Sequence, residues 1–98
     1  MLAVAEREFA RDGFAGAHLQ HIASQVGVQK TALYYYFPSK SGLYEAVLLR
    51  MLEGFGEAVR DAVDAPLPHE QRLVRLLDGL NDLLALHPSY SKILIRIF

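Results

Sequence analysis

Donors and aromatic rings crowd the run Gln29-Lys30-Thr31-Ala32-Leu33-Tyr34-Tyr35-Tyr36, and no acidic residue stands between Asp12 and Glu45. The chemistry these side chains offer is hydrogen-bond donation to an anion or to a base edge. A lysine ammonium can donate to guanine O6 and N7, a threonine methyl or hydroxyl can meet a base edge, and a phenol can donate to phosphate. A carboxylate on such a surface repels phosphates and retains counterions; the stretch 13–44 carries none. Lys40 adds a cation at the start of the next apolar repeat, where a helix N-terminus also favours an anion.

Two short helices have to hold these residues in place. Ala23 sits mid-way along the first, where a bulky side chain would keep the pair apart. Gly27 follows four residues later, where the turn needs positive φ without steric cost. Leu33 and Phe37 lie one turn apart and face inward with Ile22 and Val26. Small residue, turn glycine and apolar residue at these intervals form a helix-turn-helix, with helix two over about 18–25 and a recognition helix over about 29–36 that enters the major groove. Gln29, Lys30, Thr31 and Ala32 open that second helix. Three successive tyrosines project about 100° apart, so at least one phenol is exposed.

The rest of the chain reads as helix throughout. Leu2, Ala5, Phe9 and Ala10 predict helix one over about 2–12, stopped by Asp12-Gly13. Phe14 is expected to fold back into the core. Pro38 ends helix three and Ser39 is a good N-cap for a long helix over about 40–63. In it Leu43, Val47, Leu48, Met51, Phe55 and Val59 form an expected buried stripe, and Gly54 and Gly56 suggest a bend or a close helix contact. Asp64-Ala65-Pro66-Leu67-Pro68 is a linker. Leu73, Leu76, Leu77, Leu80, Leu83 and Leu84 mark helix five over about 69–86; His87-Pro88 breaks it, and Ser89 can cap a sixth helix over 90–98. The fold class is all-α.

Composition narrows the function classes. The chain has 98 residues, 52% of them hydrophobic and 21% charged, which describes a folded domain. It has no cysteine, so disulfides and thiolate metal sites are excluded. The net charge of −1 hides an uneven distribution. Residues 1–50 hold five basic residues (Arg7, Arg11, Lys30, Lys40, Arg50) against four acidic ones (Glu6, Glu8, Asp12, Glu45), whereas 51–98 hold five basic and seven acidic. No apolar run reaches the roughly 18 residues that cross a bilayer, and the start lacks the pattern of an export signal. No Gly-rich phosphate loop or Ser/His/Asp arrangement suggests an enzyme, and no cofactor or metal site is expected. His18 and His21 could share a metal, but neither is expected to have a carboxylate or Cys partner nearby. The chain opens inside one amphipathic pattern and closes inside another, so a piece of a longer protein is expected.

Phe9-Ala10-Arg11-Asp12-Gly13-Phe14, Ile22-Ala23, Gly27-Val28, Leu33-Tyr34-Tyr35-Tyr36-Phe37-Pro38-Ser39-Lys40 and Leu43 closely resemble the N-terminal domain of TetR-family transcriptional regulators. The resemblance runs continuously over about residues 2–50, with His87-Pro88 a weaker likeness to the family's regulatory domain. It implies a homeodomain-like three-helix DNA-binding domain over 1–46. Residues 47–98 would then be the linking helix and the first helices of a ligand-binding and dimerisation domain, truncated here. It also implies a cytoplasmic homodimer that binds a palindromic operator in double-stranded DNA, usually as a repressor released by a small-molecule effector. Carried over by position, Gln20, Lys30, Thr31, Tyr35 and Tyr36 would contact bases or phosphates, Tyr34 and Lys40 phosphate, and Leu33 and Phe37 would pack. The chain departs from the pattern at Ala17-His18, where the family has a hydroxyl N-cap that His18 could partly replace. It departs again at His21, commonly acidic in the family, and at Ala32, frequently Thr. The alternative function is a helical dimerisation or interaction module that no longer reads DNA.

Overall fold

The computed structural model describes residues 1–97 as six helices: α1 (Leu2–Gly16), α2 (Leu19–Val26), α3 (Lys30–Tyr36), α4 (Lys40–Asp64), α5 (His69–Leu86) and α6 (Pro88–Ile97). Among the described residues there is no strand. The molecule is elongated, 52 × 23 × 20 Å. α1 packs on α2, α4 and α6, α2 on α3, and α5 on α4 and α6.

One core serves the N-terminal helices and α4 together. Ala5, Phe9 and Ala10 of α1, Leu19, Ile22 and Ala23 of α2, and Leu33 of α3 meet Leu43, Val47 and Met51 of α4 and Tyr90 and Ile93 of α6. The spacings are those of single helix faces. Val26 and Phe37 are half-buried at the edge of this core. Burial pushes the Tyr90 phenol above its ordinary range, with the Glu6 carboxylate adding to the effect.

Several expectations need correction. The regular part of α1 ends as expected at Asp12, where the backbone leaves helical geometry at Gly13 (φ 74°, ψ 176°), but a further short turn that was not expected runs on to Gly16. Phe14, expected in the core, is 42% exposed. Its ring lies against Phe9 and Tyr44 at centroid distances of 6.4 and 5.1 Å and carries the Lys40 ammonium 4.7 Å above it. Val59 faces solvent instead of completing the α4 stripe. The direction taken by α5 explains why: it crosses the side of α4 marked by Gly54, where a Cβ would come within 3.3 Å of Leu83 Cδ1. That close contact accounts for Gly54. Gly56 has open space beside it. The leucine stripe of α5 is only half covered, with Leu73 and Leu77 exposed. α6 begins at Pro88, a residue suited to a first helical position, so Ser89 lies inside the helix. The part of the sixth helix expected at Phe98 lies outside the described residues.

Candidate nucleic-acid interface

The turn between α2 and α3 is closed by backbone alone. Gly27 adopts the left-handed conformation (φ 87°, ψ 22°). Its N–H donates to the carbonyls of Ala23 and Ser24, and Val28 N–H donates to Ala23 at 3.0 Å. This is a Schellman closure, in which the last carbonyls of α2 find partners in the next two amides. Ala23 and Ile22 are buried beneath it, and Leu33, fully buried, seats α3. α3 begins from an extended Gln29 and ends where Phe37 N–H donates to Leu33 O at 2.9 Å. It is therefore two turns long and anchored along one side.

What remains of α3 points to solvent. Gln29, Lys30, Thr31 and Ala32 are exposed, as are Tyr34 at 37%, Tyr35 at 81% and Tyr36 at 66%. Lys30 Nζ stands 5.4 Å above the Tyr34 ring, one helical turn away, so the phenol face holds the cation in position. Tyr35 and Tyr36 pack edge to face at 5.1 Å.

An open groove runs between α2, α3 and the start of α4, lined by His18, Gln20, Lys30, Tyr34 and Lys40 with Ala17 and Leu19. It gathers five of the nine candidate residues from three elements. Gln29, Thr31, Tyr35 and Tyr36 are exposed on α3 outside that groove. His18 occupies the N-cap of α2, but its side chain makes no capping bond, so it does not replace the missing hydroxyl there. Ser39 does cap α4, its Oγ accepting from Gly42 N–H at 3.0 Å. Lys40 Nζ donates to Ala17 O at 3.2 Å and Ala15 O at 3.4 Å, so part of its donor capacity goes to the loop beside the groove.

The expectation that His21 lacks a carboxylate partner is overturned. Glu8 of α1, its side chain 2% exposed, accepts from His21 Nδ1 at 2.6 Å and from Arg11 Nη2 at 2.9 Å. An ionised carboxylate only accepts, so Nδ1 carries the hydrogen; Nε2 lies 3.3 Å from Gln25 Nε2. The sequence held the signal for this arrangement: Glu8 lies three residues after Ala5, on the face that α1 buries. Glu8 and Asp12 thereby share the one guanidinium of Arg11. Asp12 is paired with Arg11 at 2.8 Å, and the guanidinium holds its carboxyl below the usual range. Among the described residues no three His, Cys, Asp or Glu side chains group to hold a metal ion, and no helix is long and apolar enough to cross a membrane.

Residues 1–47 match the family described as bacterial regulatory proteins, tetR family. The HTH-type transcriptional regulator RutR of Escherichia coli K12 is 49% identical over 53 residues, which are 54% of this chain and 25% of RutR. The HTH-type transcriptional activator FasR of Mycolicibacterium smegmatis is 34% identical over 84% of this chain and 37% of its own length. The HTH-type transcriptional repressor NicS of Pseudomonas putida is 30% identical over 96% of this chain and 44% of its own length. The crystal structure of a TetR-like transcriptional regulator from Rhodococcus sp. RHA1 superposes with a TM-score of 0.89 at 30% identity, over 97% of this chain and 52% of that one. The chain thus spans between a quarter and about half of the length of these relatives. From the turn glycine to the aromatic recognition helix, residues 1–47 carry the N-terminal module of the bacterial regulatory proteins, tetR family, and the chain has the fold of a TetR-like transcriptional regulator.

Proposed function

We propose that this chain is the DNA-reading head and first regulatory helices of a cytoplasmic, homodimeric transcriptional regulator. The observation that carries the reading is the groove in which His18, Gln20, Lys30, Tyr34 and Lys40 converge beside the exposed edge of a helix anchored by Leu33. In this reading α3 enters the major groove. Lys30 and Thr31 reach base edges together with Gln29, while the phenols of Tyr34, Tyr35 and Tyr36, with Gln20, His18 and Lys40, set the head on the phosphates.

One head offers few charged donors, so tight binding requires two copies on successive half-sites, about 34 Å apart along a palindromic operator. A small-molecule effector bound beyond the head would change the separation of the two heads and release the DNA. Repression is the simpler direction, because occupying an operator blocks access without any further contact. NicS is named a repressor and FasR an activator, so the family supports both.

The test is a fluorescence titration of duplexes, one selected by the protein from a random library and one scrambled, across a range of salt. The regulator reading predicts preference for the selected duplex and an affinity that falls linearly in log–log form with salt. Failure to bind any duplex at low salt, with self-association intact, would overturn it in favour of a helical interaction module.

A further inference from the structure

The end of α1 and its link to α2 are held by two cations that come from elsewhere in the chain. On one side Lys40 of α4 takes the carbonyls of Ala15 and Ala17. On the other, Arg96 in the last turn of α6 donates through Nε to Ala10 O at 3.1 Å and through Nη2 to Arg11 O. Ala10 and Arg11 lie in the last regular turn of α1, before the backbone breaks at Gly13. A helix leaves its final carbonyls without partners and carries partial negative charge there, so a guanidinium is well placed to cap them.

Gly13 permits this approach twice over. Its φ of 74° suits glycine, and a Cβ at that position would sit 3.1 Å from Arg96 Nη1. Arg96 itself is carried on a helix fixed by Tyr90 and Ile93, both buried against the shared core. The turn of α1 that it grips leads through residues 13–17 to His18, the N-cap of α2, and so to the wall of the candidate groove.

We infer that Arg96 is a positioning residue: it links α6 to the end of α1 and sets the angle at which α2 and α3 are presented. Displacing α6 pulls on the Ala10 and Arg11 carbonyls, and the disturbance passes through residues 13–17 to the reading head without any side chain of α6 touching DNA. The effect on DNA rests on the regulator reading above; the mechanical link does not.

Amide hydrogen exchange on the whole 98-residue chain tests the link. Arg96→Ala is expected to speed exchange over residues 13–20 by about ten-fold while residues 70–86 stay within about two-fold, because local opening is confined to the released segment. No change over 13–20, or an equal rise everywhere, overturns the inference. If Arg96→Ala does not fold, Arg96→Lys decides in the same way, since a single ammonium cannot reproduce the two-pronged cap.

A second arm measures affinity for the duplex selected by the wild-type protein and for a scrambled one. Arg96→Ala is expected to lose about ten-fold on the selected duplex, an ordinary coupling between distant sites, and much less on the scrambled one. Equal loss on both overturns the positioning role. Should the wild-type protein bind no duplex, the regulator reading fails and the exchange arm still decides the link.

Discussion

Lys30 concentrates the candidate chemistry at the residue scale, because it is the one cation on the exposed edge of α3 and the Tyr34 ring holds it in place. Two roles for it make different predictions. If its ammonium donates to a guanine edge, Lys30→Ala costs about 1–3 kcal/mol and relaxes preference at one operator position. If it only meets phosphate, affinity falls alike on every sequence and the salt slope drops by about one. Titrating the variant against the selected duplex and its single-position changes, at several salt concentrations, separates these outcomes. The cation–π contact is worth only about 0.5–1 kcal/mol at so exposed a site, so its loss cannot imitate the larger effect. Tyr34→Phe is the matching control. It keeps the ring beneath Lys30 and removes only the hydroxyl, so a phosphate contact through that phenol shows as a uniform loss with the salt slope unchanged.

At the scale of elements, the hinge of the head is Gly27, and the reason for glycine there is purely conformational. A Cβ at Gly27 would meet nothing within 4 Å, yet φ is 87°. Gly27→Ala is therefore expected to destabilise the fold by about 1–2 kcal/mol through backbone strain alone. Gly27→Asn should cost clearly less, since asparagine tolerates the left-handed region. Urea unfolding of both variants checks this, and an alanine as benign as asparagine would show that the turn relaxes. This element was legible in the sequence because its requirement is local: Ala23, Gly27 and Leu33 state it by type and spacing. The Ser39 cap and the linker at 64–68 were legible for the same reason. The short turn past Gly13 was not, because the Ala15 and Ala17 carbonyls find Lys40, 25 and 23 residues away, and the turn before it is capped by Arg96 from 85 residues away. The burial of Glu8 was legible from its place on the Ala5–Phe9 face, but its pairing with His21 was not, because it bridges two helices whose packing angle no local pattern specifies. The outward turn of Phe14 follows from Tyr44 and Lys40, again remote in sequence.

For the whole molecule, the informative feature is an apolar seam left uncovered among the described residues. Leu49, Leu52, Gly56, Val59 and Val63 follow one another along α4 at alternating steps of three and four, and the four with side chains are all exposed. That spacing keeps them on one face of a helix, as in a helix–helix seam, and Gly56 leaves room for a neighbour to come close. Leu73, Val74 and Leu77 of α5 add exposed apolar surface. Contiguous patches of this kind are uncommon on monomers and mark surfaces that associate. The 98-residue chain is therefore expected to self-associate in solution by burying α4 against a second copy, and sedimentation velocity over a concentration series measures it. Leu52→Glu with Val59→Glu should shift the chain toward monomer and leave its helical circular dichroism intact, because both positions already face water. Val47→Glu provides the contrast: that side chain is 2% exposed, so an uncompensated buried charge there should unfold the domain instead of dissociating it. A wild-type chain that sediments as a monomer at its highest soluble concentration would show that the seam is not adhesive. A Leu52→Glu, Val59→Glu chain that still associates would place the contact on α5, where Leu73 and Leu77 are the next residues to change.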